Sequence, residues 1–440
     1  MNKKIAEAIK KAGVVGAGGA GFPTHIKVQG TANWVIVNGA ECEPLLRVDQ
    51  QLLAKYPAQI LKGLEAILLA VGATKGIIAL KGKYTKAIDA LKRKIGTKPI
   101  ELFILDDFYP AGDEQVTVYE VLKKVVPEGG IPLKVGCVVV NVETLYNVAR
   151  ALDGVPVTTT FLTVTGEVPK AFTSELPVGL SIRECLTLAG VKDTRNKAVI
   201  EGGPMMGSLI DNLDSPITKT TKGLIVLPED HPLVIQKRLG FAFQLKRSKA
   251  ACIQCSFCTE ICPRHLLGHS LEPHKIMRAL NYLELEKQVF RTFLLCSECG
   301  ACEYICPMGL SPREANALLK QELGKKGLKA QASTNDPVPR PMREYKKIPS
   351  KRLIMRFALS GYDRPAPLVE LKVKASRVAI PLKQHLGSPA RAKVKLGDKV
   401  QVGDLLAACE EVKLGADVHA SISGVVKEVS DRIVIEAETR

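Results

Sequence analysis

Eight cysteines in two runs of identical spacing constrain this chain more than any other feature. The first run is Cys252-x-x-Cys255-x-x-Cys258-x-x-x-Cys262-Pro263, and the second is Cys296-x-x-Cys299-x-x-Cys302-x-x-x-Cys306-Pro307. In this pattern three thiolates wrap a loop around one iron–sulfur cluster, while the fourth, beside a proline at a helix start, reaches across to another. The spacing therefore predicts two [4Fe–4S] clusters with crossed ligand sets. Cys252, Cys255, Cys258 and Cys306 would hold one, and Cys296, Cys299, Cys302 and Cys262 the other. Zinc sites built from CxxC halves lack the third cysteine and the trailing Cys-Pro, so iron–sulfur is favoured over zinc. A chain equipped in this way moves single electrons.

The other four of the twelve cysteines, Cys42, Cys137, Cys185 and Cys409, are scattered and read as small buried hydrophobes. Between the two runs, His274 to Leu295 places Ile276, Leu280, Leu283, Val289 and Phe293 at helical spacing, which predicts a helical connection. At 440 residues the chain exceeds one ordinary core, and about two to four domains are expected. Hydrophobic residues at 46% and charged residues at 24% are the balance of a soluble globular protein. A formal net charge of +17 suits a phosphate-bearing cofactor, an anionic surface or an acidic partner. Aromatics are only 5% and interleave with no basic run, which argues against nucleic acid. No uncharged apolar run reaches the roughly 18 residues that span a bilayer. The first residues lack the apolar centre of a signal peptide. The expectation is a cytoplasmic protein without a transmembrane segment, in which cysteines serve as metal ligands rather than disulfides.

The segment Gly16-Ala17-Gly18-Gly19-Ala20-Gly21-Phe22-Pro23 formally satisfies GxGxxG. A dinucleotide fingerprint needs a strand before it and a helix after it. Here Lys3 to Ala12 is helix-like, and Pro23 follows at once. What survives is a backbone able to approach a phosphate-bearing ligand, with Lys27 nearby; a plain flexible turn is the competing reading. Trp34 to Asn38 is strand-like and runs into Glu41-Cys42-Glu43-Pro44. Helix-like Pro57 to Val71 and Lys86 to Lys94 alternate with strand-like Gly76 to Leu80 and Ile100 to Leu105. That alternation predicts a parallel sheet with helices packed on it. Two further segments follow, Tyr109-Pro110-Ala111-Gly112-Asp113-Glu114-Gln115 and Val138-Val139-Val140-Asn141-Val142-Glu143-Thr144-Leu145.

These four segments, in this order, resemble the flavin- and NADH-binding region of the NADH-oxidising flavoprotein subunit of respiratory complex I. They resemble the RnfC protein of Rnf complexes more closely still. The resemblance implies FMN held by Gly16, Gly18, Gly19, Gly21, Lys27, Asn38, Glu41, Gly112, Glu114, Asn141 and Thr144. It places Phe22 and Glu43 on the NADH side. Two positions depart from the complex I pattern: Ala40 stands in place of an acid, and Val140-Asn141 in place of an Asn pair, so one flavin contact fewer is expected.

Downstream, Thr158 to Val168 is strand-like, Pro177 to Ala189 helix-like, and Ala198 to Glu201 leads into Gly202-Gly203-Pro204-Met205-Met206-Gly207. This stretch resembles the β-grasp (SLBB) module that follows the flavin domain in the same family, and a packing spacer is preferred for it over a ligand site. Ala330 to Pro367 is rich in Pro, Lys and Arg, as a linker or extended strap is. From Val378 to Glu436 short strands are punctuated by Gly387, Gly397, Gly403, Gly415 and Gly424, which resembles the barrel-sandwich hybrid of biotinyl and lipoyl domains. Lys413 stands where such domains carry their modified lysine. Its neighbours Val412 and Leu414 are not those that modifying enzymes read, so it is expected to be unmodified. The expected fold class is α/β multidomain. A Rossmann-like FMN/NADH-binding domain occupies 1–155, a β-grasp (SLBB) module 156–235, and a helical two-cluster ferredoxin-type module 236–328. A linker at 329–370 and a C-terminal barrel-sandwich hybrid at 371–440 complete the chain.

An order of flavin domain, β-grasp, clusters and hybrid is that of the cobalamin reductases of propanediol-utilisation microcompartments; RnfC proteins carry the hybrid first. Gln50-Gln51-Leu52, Arg343-Glu344-Tyr345-Lys346-Lys347 and Tyr362-Asp363-Arg364-Pro365-Ala366-Pro367 are similar to that family as well. The resemblance implies an enzyme with NADH as donor and a flavin that converts a two-electron donor into one-electron transfers. It further implies two clusters as carriers, a corrinoid as acceptor, and a microcompartment interior with its shell proteins as the setting. No general base or nucleophile is required, so no catalytic residue is nominated. Two alternatives stand beside it. One is an RnfC-like soluble input module passing electrons to a ferredoxin, a flavodoxin or another reductase protein. The other is a non-catalytic ligand-binding scaffold whose clusters are structural.

Overall fold

The computed structural model describes residues 2–239, 241–279, 292–328, 337–410 and 413–438. After the helix Asn2–Lys11, four strands form a parallel sheet: β1 (Trp34–Gly39), β2 (Lys75–Lys81), β3 (Ile100–Leu105) and, beyond the short β4 (Phe108–Tyr109), β5 (Cys137–Asn141). Their near-continuous apolar runs are what a sheet covered on both faces requires. Helices Pro57–Val71, Thr85–Ile95 and Val142–Leu152 lie between or after the strands, and the first ends at Gly72 in the left-handed conformation (φ 67°).

The order β3-β2-β1-β5 carries the functional consequence. The chain steps from β1 outward to β2 and β3, then returns to the other side of β1 as β5. Such a reversal opens a crevice at the carboxyl ends of the strands, where ligands bind in open α/β sheets. The register pairs Asn38 with Asn141, so both side chains stand at that crevice.

A second sheet follows, of β6 (Thr159–Gly166), β7 (Phe172–Pro177), β8 (Lys197–Glu201), β9 (Ser208–Ile210) and β10 (Gly223–Pro228), in the order β7-β6-β10-β8-β9. Strands β6 and β10 run parallel and the other neighbours antiparallel. The helix expected over Pro177 to Ala189 is shorter than the sequence suggested. Pro177 closes β7, Gly179 has φ 93°, and the helix Ile182–Leu188 begins only at the Ser181–Glu184 capping box.

The cysteine-bearing region is helical, with Phe241–Ala251, Phe257–Glu260, Pro263–Leu266, Pro273–Ala279, Ala301–Ile305 and Pro312–Lys325. Of the helix expected over His274 to Leu295, the ends are the helix Pro273–Ala279 and the 3-10 turn Thr292–Leu295; residues 280–291 lie outside the described residues. The expected strap is held along its described length. Strand β11 (Ile348–Pro349) pairs with β4, Arg343 ion-pairs with the buried Glu120, and the helix Ser350–Arg356 buries Leu353. The last module has two small sheets. One contains β12 (Arg377–Pro381), β14 (Lys399–Val400), β17 (Gly424–Val429) and β18 (Arg432–Glu436); the other contains β13 (Arg391–Ala392), β15 (Leu405–Ala408) and β16 (Val418–His419). Lys413, between β15 and β16, is exposed and ion-paired to Glu410 at 2.8 Å. Among the described residues, no helix is long and apolar enough to cross a membrane.

Candidate functional site

At the crevice beside Asn38 and Asn141 lies a cleft of about 710 Å³, within the range of small-molecule sites. Gly16, Gly18, Gly19, Gly21, Phe22, Lys27, Asn38, Glu41, Glu43, Gly112, Glu114 and Asn141 all line it. Thr144 does not; it stands behind the glycine loop, where its hydroxyl accepts the Ala17 N–H at 3.0 Å.

The glycine loop leaves backbone donors free at the mouth of the cleft. Gly16 N–H donates to Phe22 O at 2.9 Å and closes the loop, while the N–H groups of Gly18 and Gly19 find no acceptor among the described residues. A Cβ at Gly18 would lie 2.8 Å from the Asn141 amide, so that glycine permits close packing; a Cβ at Gly19 would meet nothing within 4 Å. Free N–H groups of this kind suit a phosphate. Lys27 brings a cation to the same cleft, held by Glu114 at 3.0 Å and Val139 O at 2.6 Å. Asn38 donates to Gly112 O at 2.8 Å. A Cβ at Gly112 would come within 3.0 Å of Cys42 Sγ and 3.5 Å of Ala40 Cβ, so the small residue here is a packing requirement. Ala40, where an acid was the family pattern, is fully buried.

The carboxylates divide by task. Glu41 accepts from Asp49 N at 2.7 Å and Gln50 Nε2 at 2.8 Å, so it satisfies the start of the helix Val48–Lys55. Asn141 caps the helix Val142–Leu152 through Glu143 N at 2.9 Å and donates to Asp49 Oδ2 at 2.8 Å. Glu43 accepts the N–H groups of Met205 and Met206 at 3.0 and 2.9 Å; burial raises its pKa against those two donors.

The eight motif cysteines gather at two cavities. Cys252, Cys255, Cys258 and Cys306 line one, and Cys296, Cys299, Cys302 and Cys262 line the other. The two loops share one backbone design: Gln254 and Ser256 have φ 55° and 62°, and their counterparts Glu298 and Gly300 have φ 58° and 76°. Left-handed residues in such a loop turn N–H groups inward, and hydrogen bonds to sulfur are already present. Glu298 N lies 3.3 Å from Cys296 Sγ, and Leu310 N 3.4 Å from Cys306 Sγ. Among the described residues, no three His, Cys, Asp or Glu side chains are placed to hold a single metal ion. Each set of four thiols lines one cavity, and these are the residues that would hold a cluster there.

Along 434 residues, 98% of this chain and 96% of the other, the sequence is 44% identical to the cobalamin reductase PduS of Salmonella typhimurium. It is 43% identical over 98% to that of Citrobacter freundii. The chain belongs to the cobalamin reductase family. Its parts match separate families: residues 9–150 the Nuo51 FMN-binding domain, 251–311 the 4Fe-4S dicluster domain, and 364–439 the RnfC barrel sandwich hybrid domain. The C component of the Na(+)-translocating ferredoxin:NAD(+) oxidoreductase complex of Acetobacterium woodii is 34% identical over 59% of each chain. A crystal structure of an NAD+-reducing [NiFe]-hydrogenase in the H2-reduced state superposes with TM-score 0.50 at 22% identity, covering 83% of this chain and 68% of that one, a likeness of fold. This cobalamin reductase family member is a flavin and iron–sulfur oxidoreductase.

Further residues of this cobalamin reductase relative, outside the flavin-family segments, line the cleft. The β-grasp segment read as a spacer contributes Glu201, Gly202, Gly203, Thr220, Thr221 and Lys222. The sequence signal was the Gly202-Gly203 pair: a Cβ at Gly203 would lie 2.0 Å from Glu43 Oε2. Lys222 ion-pairs with the buried Glu143, and burial lowers its pKa. Burial first, then the Glu41 carboxylate, raise Asp49 well above the usual carboxylate range. Of the scattered cysteines, Cys137, Cys185 and Cys409 are buried as expected, whereas Cys42 lines the cleft, its thiol pushed by burial up to about 12.

Three residues, Arg264, Ser297 and Cys299, line both the cleft and the cavity of Cys262, Cys296, Cys299 and Cys302. Tyr109, also at the cleft, donates its hydroxyl to Cys299 O. The other cavity shares no lining residue with the cleft. In space the order is cleft, inner cavity, outer cavity.

Proposed function

We propose that this chain is an NADH-dependent cobalamin reductase, taking cob(III)alamin to cob(II)alamin and on to cob(I)alamin. The observation that carries the acceptor is the likeness to cobalamin reductases along 98% of the chain. Bound FMN supplies the exchange between a hydride pair and single electrons, and the clusters carry those electrons singly.

The chain's own residues provide position. Gly18, Gly19 and Lys27 offer N–H groups and a cation to the FMN phosphate, with Asn38, Glu41, Gly112, Glu114 and Asn141 shaping the floor of the cleft. Phe22 and Glu43 stand on the NADH side. Cys262, Cys296, Cys299 and Cys302 hold the cluster next to the cleft; Cys252, Cys255, Cys258 and Cys306 hold the outer one. The outer loop is the more exposed, with Ile253 at 62% and Phe257 at 46%, and is the face from which an acceptor is reached. The domain limits 1–155, 156–235, 236–328, 329–370 and 371–440 are part of this proposal, as is a microcompartment interior with shell proteins as neighbours.

Anaerobic NADH oxidation compared with a dye, with aquocobalamin, and with ferredoxin or flavodoxin tests the reading. Cobalamin reduction at a rate comparable with the dye supports it. Dye and ferredoxin turnover without cobalamin reduction moves the assignment to a soluble RnfC-like input module, and no turnover with any acceptor leaves a scaffold.

A further inference from the structure

Arg264 sits in the wall between the cleft and the inner cavity, two residues after Cys262, and is 9% exposed. One terminal nitrogen, Nη2, donates to Asp113 Oδ2 at 3.0 Å. Its Nε and Nη1 groups are shielded from solvent and have no hydrogen-bond partner among the described residues. Buried N–H donors on a charged group are costly to leave unpaired, so each calls for an explanation. Arg264 lines the inner cavity together with the four thiols Cys262, Cys296, Cys299 and Cys302, which places sulfur acceptors of a bound cluster beside these donors.

We propose that Arg264 is a positioning residue for the inner cluster, giving its free N–H groups to cluster sulfur and setting the potential at which that cluster accepts an electron. Reduction adds one negative charge to the cluster, so a guanidinium beside it favours the reduced state. Asp113 tempers this effect. Its Oδ1 caps the helix Glu114–Leu122 through Gln115 N and Val116 N, which anchors the carboxylate, while Oδ2 takes up part of the charge of Arg264. The pair ties the start of a cleft helix to the cysteine loop, so the cleft floor and the inner cavity are held by one contact.

The inference rests on the inner cavity holding a cluster, and potentiometric titration followed by electron paramagnetic resonance separates the two. In the full chain, R264Q should move the midpoint of the inner cluster to more negative potential, with flavin content and the outer midpoint unchanged. D113N keeps a capping side chain and should move the same midpoint in the positive direction. An intact inner signal whose midpoint stays put in both variants overturns the role of Arg264, as does an equal shift of both clusters. If R264Q fails to assemble the inner cluster, D113N decides by the sign of its shift. A wild-type protein without iron overturns the cluster reading itself.

Discussion

Glu43 and Gly203 belong to different modules, yet the glycine is what lets the carboxylate reach its donors. A Cβ on Gly203 would lie 2.0 Å from Glu43 Oε2, the oxygen that accepts from Met205 N at 3.0 Å. Gly203→Ala must therefore displace Glu43, at about 1–3 kcal/mol for overpacking. With Glu43 on the NADH side, the KM for NADH rises several-fold in a dye assay while flavin and iron contents hold. An unchanged KM would remove Glu43 from the NADH site.

Gly19 offers a cleaner test of the flavin cradle than Gly18. A side chain at position 18 collides with Asn141, whereas one at position 19 has open space. Gly19→Val should fold normally and exclude FMN from the cleft. Flavin released on denaturation should fall to a small fraction of wild type, with cluster absorbance intact. Full flavin occupancy would mean that the loop is only a turn.

Crossed ligation has its own signature. The two-cluster pattern gives about eight iron and eight sulfide per chain. Cys262 closes the first run in sequence but lines the inner cavity with the second. Cys262→Ser should therefore alter the same resonance signal as Cys299→Ser, and Cys306→Ser the same signal as Cys255→Ser. Pairing of Cys262 with Cys255 instead would refute the crossing.

Acid should loosen the junction where the hybrid module meets the glycine loop. Lys219 Nζ bridges Gly13 O at 2.8 Å and Asp417 O at 2.7 Å, and His25, His385 and His419 surround this point. Burial lowers all three histidines, His25 to about 4 and His419 to about 3, with nearby Lys10 and Lys219 adding to the effect. The folded state keeps them neutral, while the unfolded chain binds protons below about 6.5. Stability is thus fully present above that pH and declines as pH falls toward about 4. Thermal unfolding should show Tm dropping over this window, with a shallower slope in His419→Gln. Equal slopes would show that His419 does not contribute.

The parallel sheet was legible because each strand is an apolar run next to an amphipathic helix, and the cysteines because their spacing is itself the ligand geometry. Gly179 and the Ser181-x-x-Glu184 box carried the true start of the helix Ile182–Leu188, but the apolar periodicity around them masked it. Lys222, Asp49 and Arg264 belong to no motif. Asp49 comes from the first turn of the helix Val48–Lys55, whereas Lys222 and Arg264 reach the cleft because the β-grasp loop and the cysteine module fold against the sheet, a long-range fact that local pattern does not encode. Cys42 read as a core residue from composition, and its place beside Gly112 emerges only from the turn after β1.

Anaerobic absorbance spectroscopy of aquocobalamin mixed with NADH and the purified, iron-replete protein is the most direct test of the cobalamin reductase assignment. The first reduction takes one electron, which matches a cluster donor. Wild type should form cob(II)alamin at a rate far above that of Cys299→Ser, which lacks a ligand at the shared wall of cleft and inner cavity. Fast NADH oxidation with dyes, accompanied by cobalamin reduction no faster than in Cys299→Ser, would contradict the corrinoid acceptor.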